Sequence, residues 1–145
     1  MVSAQRSLRL VFHNLHAMVL SFPIALFSAA LATDISYLNT AEIQWTNFSS
    51  WLIAGALVFG GALIAFALLG WILNIRRPSG RVSLIYLLVV IIMWGIGLVN
   101  AFQHSRDAWS SVGSAGLAMS IVCTLMALIA GWMLFSRPTA WEIDR

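Results

Sequence analysis

Four long apolar runs, separated by short polar segments, make up most of this sequence of 145 residues. They extend over residues 15–32, 49–73, 82–102 and 112–135. A helix of about 17 to 25 apolar residues crosses the hydrocarbon of a bilayer, and each run falls in that range. The sequence therefore predicts an all-α integral membrane protein, a single domain over residues 1–145 that folds as an antiparallel bundle of four transmembrane helices.

Composition supports the same class. Hydrophobic residues make up 61% of the chain and charged residues 9%, whereas soluble domains carry about 25% charged residues. The net charge of +3 comes from arginines that flank the apolar runs. Such residues orient membrane spans, so the basic balance does not indicate a nucleic-acid partner.

The eight positive charges are all arginine, and their distribution predicts the topology. The gap over residues 33–48 holds no Lys or Arg, and the gap over residues 103–111 holds only Arg106. The seven arginines that flank the other ends of the runs are Arg6, Arg9, Arg76, Arg77, Arg81, Arg137 and Arg145. Because short cytoplasmic loops retain Lys and Arg, we expect both termini to be cytoplasmic. Pro78 and Gly80 predict a tight turn between the second and third spans, which should be neighbours.

The first run has one alternative interpretation. Arg6 and Arg9, the apolar stretch and the small residues over 30–32 imitate a signal peptide, and cleavage after Ala32 would leave three spans. Pro23 and the length of the stretch favour a retained transmembrane helix.

Small residues at helical spacing predict where the helices pack, because they let backbones approach closely in lipid. The second span offers Gly60 and Gly61, and the third offers Gly95 and Gly97. The stripe in the fourth span consists of Gly116, Ser120, Cys123, Thr124, Ala127 and Gly131. The stripe could serve packing within the bundle or against a partner helix, and a crosslink through Cys123 to another subunit would favour the partner.

Tryptophans fit two interfacial belts at the predicted membrane surfaces. They are Trp45, Trp51 and Trp109 on the outer side, and Trp71, Trp132 and Trp141 on the inner side. Trp94 lies in the middle of the third span, so we expect its indole N–H to bond a carbonyl or a serine inside the bundle.

No Asp, Glu, Lys or Arg lies near the middle of any run, which disfavours a secondary transporter. An oligomeric channel built on backbone carbonyls is a weaker alternative. The sequence contains no Ser-His-Asp, H-E-x-x-H, paired-Cys or phosphate-loop spacing, so we do not expect the chain to be an enzyme on its own, and we predict no catalytic or metal-binding residue.

Histidines and one aspartate are the candidate functional groups. His13 and His16 share a helix face at the inner end of the first span, and Asp34 closes that span on the outer side. We expect Asp34 to bond the loop that follows it, through Tyr37 or the amides near Asn39.

The predicted spans put His104 in the outer loop. Arg106 and Asp107 lie in the same loop, and we expect these two to form a surface pair. His104 is therefore on the opposite side of the membrane from His16, and the two histidines cannot be axial ligands of one haem. A cofactor site near the inner face would use His16 with His13 or Met133, for haem b or a quinone.

The segment His16 to Leu26, with Phe22-Pro-Ile-Ala-Leu26, resembles the opening motif of a bacterial four-helix membrane family catalogued as domain of unknown function 2231. The resemblance covers the first half of the chain. It continues through Asp34, Trp45, Trp51 and Leu68-Leu69-Gly70-Trp71. Ser21 and Gly70 depart from the pattern, where the family has a second His and an Asp.

The resemblance implies a protein of the bacterial inner membrane, associated with respiratory or periplasmic dehydrogenase and cytochrome partners. Residues 33–48 carry Asp34 and Glu42 but no cation, so they would suit a basic partner such as a cytochrome c. The leading hypothesis is a non-catalytic subunit that anchors or stabilises a larger membrane complex. We expect that complex to carry out redox chemistry or energy conversion. The alternative is a small redox carrier that binds haem b or contacts a quinone through His16.

Overall fold

A computed structural model of the chain describes residues 2–106 and 112–136, and these form four α-helices and no strand. The helices are α1 (Val2–Thr40), α2 (Ile43–Asn74), α3 (Gly80–His104) and α4 (Ser114–Phe135). All four are long and apolar enough to cross a membrane. The predicted all-α fold with four membrane-spanning helices is confirmed.

The helices form a ring in which each packs on two neighbours. α1 contacts α2 and α4, and α3 contacts the same two helices from the opposite corner. The prediction that the second and third spans are neighbours is confirmed. We call the end that holds the α2–α3 turn over residues 75–79 the arginine end. The other end, which holds the α1–α2 link and the end of α3, is the aspartate end.

Two boundaries differ from the sequence prediction. α1 continues to Thr40 and α2 begins at Ile43, so the predicted loop over residues 33–48 is wrong, and Ala41 and Glu42 alone link the helices. Polar residues extend α1 because their hydroxyls bond its own backbone, as Ser36 Oγ does to Ala32 O at 2.9 Å. Ala41, at φ 55°, ends α1 by donating its N–H to Tyr37 O at 2.7 Å.

The centre of the bundle is apolar. Its fully buried side chains include Phe27 from α1, Leu63 from α2, Met93 from α3 and Cys123 from α4. Large apolar side chains cover the outer surface instead of polar ones, for example Val58 and Leu125, which are 72% and 54% exposed. This distribution is what a lipid environment requires, because lipid tails solvate such side chains.

The stripe of small residues in α4 faces the interior. Gly116, Ser120, Cys123, Thr124, Ala127 and Gly131 are all buried. Because Cys123 is 0% exposed, this structure places the stripe within the bundle, away from the lipid-facing surface. In α2, Gly60 is buried against Trp94, whereas its neighbour Gly61 is exposed.

Trp94 makes the bond that its position predicts, since its Nε1–H donates to Leu57 O of α2 at 3.0 Å. Trp51 and Trp132 are 74% and 77% exposed, and they lie towards opposite ends of the bundle as interfacial anchors would. Several residues named from the sequence lie outside the described residues. They are Asp107, Trp109, Arg137, Trp141 and Arg145.

Candidate functional sites

At the aspartate end, side chains from all four helices converge on Asp34, which is completely buried. Its Oδ1 accepts a hydrogen bond from Ser49 Oγ of α2 and lies 2.9 Å from His104 Nε2 of α3. Its Oδ2 accepts a hydrogen bond from Ser120 Oγ of α4 at 2.5 Å. The carboxyl group therefore connects each of the other three helices to α1.

His104 uses both ring nitrogens in this network. Its Nδ1 lies 2.9 Å from Asn100 O, which can only accept, so Nδ1 donates. Its Nε2 shares the hydrogen bond with Asp34 Oδ1. Because each ring nitrogen and both carboxyl oxygens have partners, the network can be buried among apolar helices.

Asn100 extends the network further into the bundle. Its Nδ2 donates to Ser120 Oγ at 2.9 Å, while its Oδ1 is buried with no hydrogen-bond partner among the described residues. Thr124 Oγ1 lies one turn deeper and donates to Ser120 O at 2.8 Å or Phe27 O at 3.0 Å. We call Asp34, Ser49, Asn100, His104 and Ser120 the aspartate network.

The sequence interpretation of these residues was wrong in two respects. His104 is the last residue of α3 and is 5% exposed, so it does not lie in an outer loop. Asp34 bonds residues of the other helices, and neither Tyr37 nor Asn39 is its partner. As Asp34 is buried, only Glu42 of the two carboxylates on residues 33–48 is exposed towards a basic partner.

At the arginine end, His16 lies within a group of aromatic rings. Its Nε2 shares a hydrogen bond of 2.8 Å with the hydroxyl of Tyr86 on α3. Its ring stacks on Phe66 of α2 at a centroid distance of 5.5 Å and meets Phe12 edge-on at 6.3 Å. These contacts come from three helices and fix the orientation of the imidazole.

A cavity of about 150 Å³ adjoins this imidazole and phenol, and we call it the head cavity. Ser83 lines it; the Ser83 Oγ is buried and has no hydrogen-bond partner among the described residues. Its remaining walls come from Phe12, His13, Ala67, Gly70, Asn74 and Leu134. Residues that carry an imidazole, a phenol and a hydroxyl thus line one small space at this end of the bundle.

Gly70 leaves part of this space open, since a Cβ there would meet no atom within 4 Å. Ser21, the other departure from the family pattern, is exposed, and its Oγ bonds Met18 O of its own helix at 2.6 Å. Only Gly70 of the two therefore lies at the head cavity.

A second cleft of about 410 Å³ lies beside the head cavity on the α1–α2 side, and we call it the vestibule. Phe12, Gly70 and Asn74 line both spaces. The other walls of the vestibule are Leu8, Leu69, Leu73 and Arg77. It combines apolar side chains with one guanidinium.

The residues at the arginine end do not fit a haem. The head cavity is smaller than the roughly 300 to 1,000 Å³ of pockets that hold drug-sized ligands. His16 Nε2 is engaged by Tyr86, and Met133 packs against the core without lining the cavity. Within residues 2–106 and 112–136, no three His, Cys, Asp or Glu residues form a group that could hold a metal.

The two polar regions are far apart. Tyr86 and His104 are 18 residues apart on α3, which corresponds to about 27 Å at 1.5 Å per residue. The buried residues of α3 between them include Val90, Met93 and Gly97, which carry no hydrogen-bonding side chain. The head cavity and the aspartate network are therefore separate sites with apolar residues of α3 between them.

Fold and sites together define a multi-pass membrane protein, a four-helix bundle with one buried polar network and one small polar cavity at opposite ends. The profile of the family described as "Predicted membrane protein (DUF2231)" matches residues 12–133. The chain belongs to this family, as the resemblance in its first half indicated. No curated protein and no solved structure gives a significant match to the chain.

Proposed function

We propose that this chain is a non-catalytic membrane protein that binds the head group of a quinone at its arginine end. The observation that supports this most directly is the position of Ser83 in the wall of the head cavity beside His16 and Tyr86, since its buried hydroxyl has no hydrogen-bond partner among the described residues. Quinone carbonyls accept hydrogen bonds, and the Ser83 hydroxyl can donate one. The space of about 150 Å³ suits a single ring.

The surroundings of the head cavity also fit such a ligand. Phe12 lines the cavity, and binding sites commonly combine apolar walls with a few polar groups that fix orientation. Phe66 supports the site from behind, since it stacks on the His16 ring. The redox chemistry would be that of the quinone, while the protein supplies binding and orientation. His13 lines the cavity, so it belongs to the proposed site, and Met133 does not.

Binding of a short-chain quinone to the purified chain in detergent micelles tests this function. Ser83→Ala should weaken binding about fivefold, because a hydrogen bond contributes roughly 1 kcal/mol. Ser21→Ala is the matched control, since Ser21 is exposed and bonds only its own helix. Failure of the unmodified chain to bind the quinone, or equal affinities for Ser83→Ala and Ser21→Ala, would refute the proposal.

A second function, the anchoring of a larger membrane complex, is favoured by a different feature. A lipid-facing groove of about 400 Å³ runs between α3 and α4. It is lined by Gly95, Ile96, Val99, Ala118, Met119 and Val122. Small residues such as Gly95 and Ala118 would allow a partner helix to approach closely. Partner subunits, among them a respiratory dehydrogenase or cytochrome, should then co-purify in stoichiometric amounts after mild extraction, and a strictly solitary protein would contradict this role.

We place the protein in the bacterial cytoplasmic membrane with its arginine end towards the cytoplasm. The support is the positive-inside distribution of Arg76, Arg77 and Arg81, which lie in or next to the α2–α3 turn. The head cavity would then face the inner leaflet and the aspartate network the outer one.

A further inference from the structure

The vestibule is amphiphilic in a way that the head cavity is not. Leu8, Leu69 and Leu73 form its apolar walls and are 70%, 45% and 62% exposed, so they present apolar surface to the outside of the bundle. Arg77, in the α2–α3 turn, places a guanidinium at the edge of the same cleft. The cleft thus brings exposed apolar surface and a positive charge together.

The charged group that lines the vestibule is the Arg77 guanidinium. The other polar residue, Asn74, is partly engaged in the helix end, because its Nδ2 donates to Gly70 O at 2.7 Å and its Oδ1 accepts from Ser79 Oγ at 3.4 Å. The cleft therefore favours a ligand that carries an anionic group directly beside an apolar chain. A neutral isoprenoid tail would use the leucines but leave the charge of Arg77 unmatched.

The electrostatics of this end favour an anion. Arg76, Arg77 and Arg81 lie within six residues of one another. In the part of the chain that the structure describes, both carboxylates, Asp34 and Glu42, are at the aspartate end. Guanidinium groups bind phosphate oxygens through two parallel hydrogen bonds, and basic clefts between transmembrane helices bind anionic lipid head groups.

We infer that the vestibule binds one anionic phospholipid, with its phosphate on Arg77 and an acyl chain along Leu8, Leu69 and Leu73. Phe12, Gly70 and Asn74 line both spaces, so this lipid covers one side of the head cavity. The inference stands on the vestibule alone and does not require a quinone in the head cavity.

Native mass spectrometry of the chain from nanodiscs of phosphatidylcholine and phosphatidylglycerol tests it. The unmodified chain should retain one phosphatidylglycerol. Arg77→Gln should lower retention roughly tenfold, since a hydrogen bond to a charged group is among the stronger ones. Arg76→Gln is the matched control, because this neighbour has the same charge and is also exposed but does not line the cleft.

Equal losses for Arg76→Gln and Arg77→Gln would show diffuse attraction to the basic turn and overturn the inference, as would full retention by Arg77→Gln. Equal retention of phosphatidylcholine would overturn it as well. Competition by inorganic phosphate should fail, because the acyl chain contributes to binding, and displacement by phosphate would contradict a lipid site. Ser83→Ala should leave lipid retention unchanged, which separates this result from the test of quinone binding.

Discussion

His104 Nε2 on α3 lies 2.9 Å from Asp34 Oδ1 on α1, and both side chains are fully buried. The two residues are 70 positions apart in the sequence, and their helices occupy opposite corners of the ring. The pair therefore spans the interior of the bundle. Ser49 and Ser120 bond the same carboxyl group from the two remaining helices, so the rotation of every helix is constrained at one point.

Removing one member of this pair should destabilise the protein strongly. Asp34→Ala leaves the His104 ring buried without its acceptor, and His104→Ala leaves a buried carboxyl group with one donor fewer. Breaking a buried pair in this way costs about 3–5 kcal/mol in free energy of unfolding. Reversible unfolding in mixed micelles measures the loss, and Glu42→Gln, at an exposed carboxylate, should change it little.

The double variant Asp34→Ala with His104→Ala distinguishes direct coupling from two separate losses. Because the two side chains contact each other, the double variant should be more stable than the sum of the single losses predicts, by about 1 kcal/mol or more. Additive losses would show that the two residues stabilise the bundle independently.

The fold could be predicted from the sequence because the signal is local. The length of each apolar run indicates a membrane span, and the Pro78-Ser79-Gly80 turn indicates which spans are adjacent. Hydropathy does not show where a helix ends when its polar residues bond their own backbone. This is why α1 was predicted to stop eight residues before Thr40.

The aspartate network could not be predicted because its contacts are non-local. Ser49, His104 and Ser120 lie 15, 70 and 86 positions from Asp34, and their meeting depends on how four helices rotate against one another. The sequence did contain one indication of this network. Asn100 and His104 are four residues apart on one helix face, and Ser120 belongs to the small-residue stripe, so polar groups at packing positions indicated buried hydrogen bonds.

The residues of the head cavity could be predicted only in part from the sequence. His16 was recognisable from the resemblance and its position, but Tyr86 and Ser83 belong to α3, and nothing in their local sequence separates them from packing residues. Their role depends on the shape of the space between helices. Sequence patterns do not encode that shape.

Gly97 should be required for the close approach of α1, α2 and α3. A Cβ at this position would lie 2.9 Å from Phe27 Cζ and 3.2 Å from Leu57 Cδ2. Gly97→Ala should therefore be less stable than Gly95→Ala by about 1–3 kcal/mol, the usual cost of overpacking. Gly95 is the matched control, because a Cβ there meets no atom within 4 Å and both variants gain the same helix propensity. Equal unfolding free energies of the two variants would contradict this packing.

Trp94→Phe should lower stability because it removes the indole donor to Leu57 O while keeping an aromatic ring. Hydrogen bonds between transmembrane helices contribute about 0.6 kcal/mol on average and up to about 1.7 kcal/mol, so the loss should fall in that range. Trp132→Phe, at a residue that is 77% exposed, is the control for the loss of an indole as such. The same unfolding assay compares them. An unchanged stability of Trp94→Phe would mean that the bond contributes nothing net.

The arginine distribution predicts which way the bundle is inserted. A green fluorescent protein inserted in the α2–α3 turn after Ser79 should fluoresce, whereas alkaline phosphatase inserted after Ala41 should be active, since it needs the disulfides that form outside the cytoplasm. Replacing Arg76, Arg77 and Arg81 by Gln should produce mixed orientations, because these charges retain the turn in the cytoplasm. Replacing Arg106 by Gln is the control, and we expect it to leave the orientation unchanged, since it removes the one arginine on the translocated side. Alkaline phosphatase that is active when inserted in the α2–α3 turn, with all arginines retained, would show that the arginine end is outside. The head cavity and the vestibule would then be on the outer side as well.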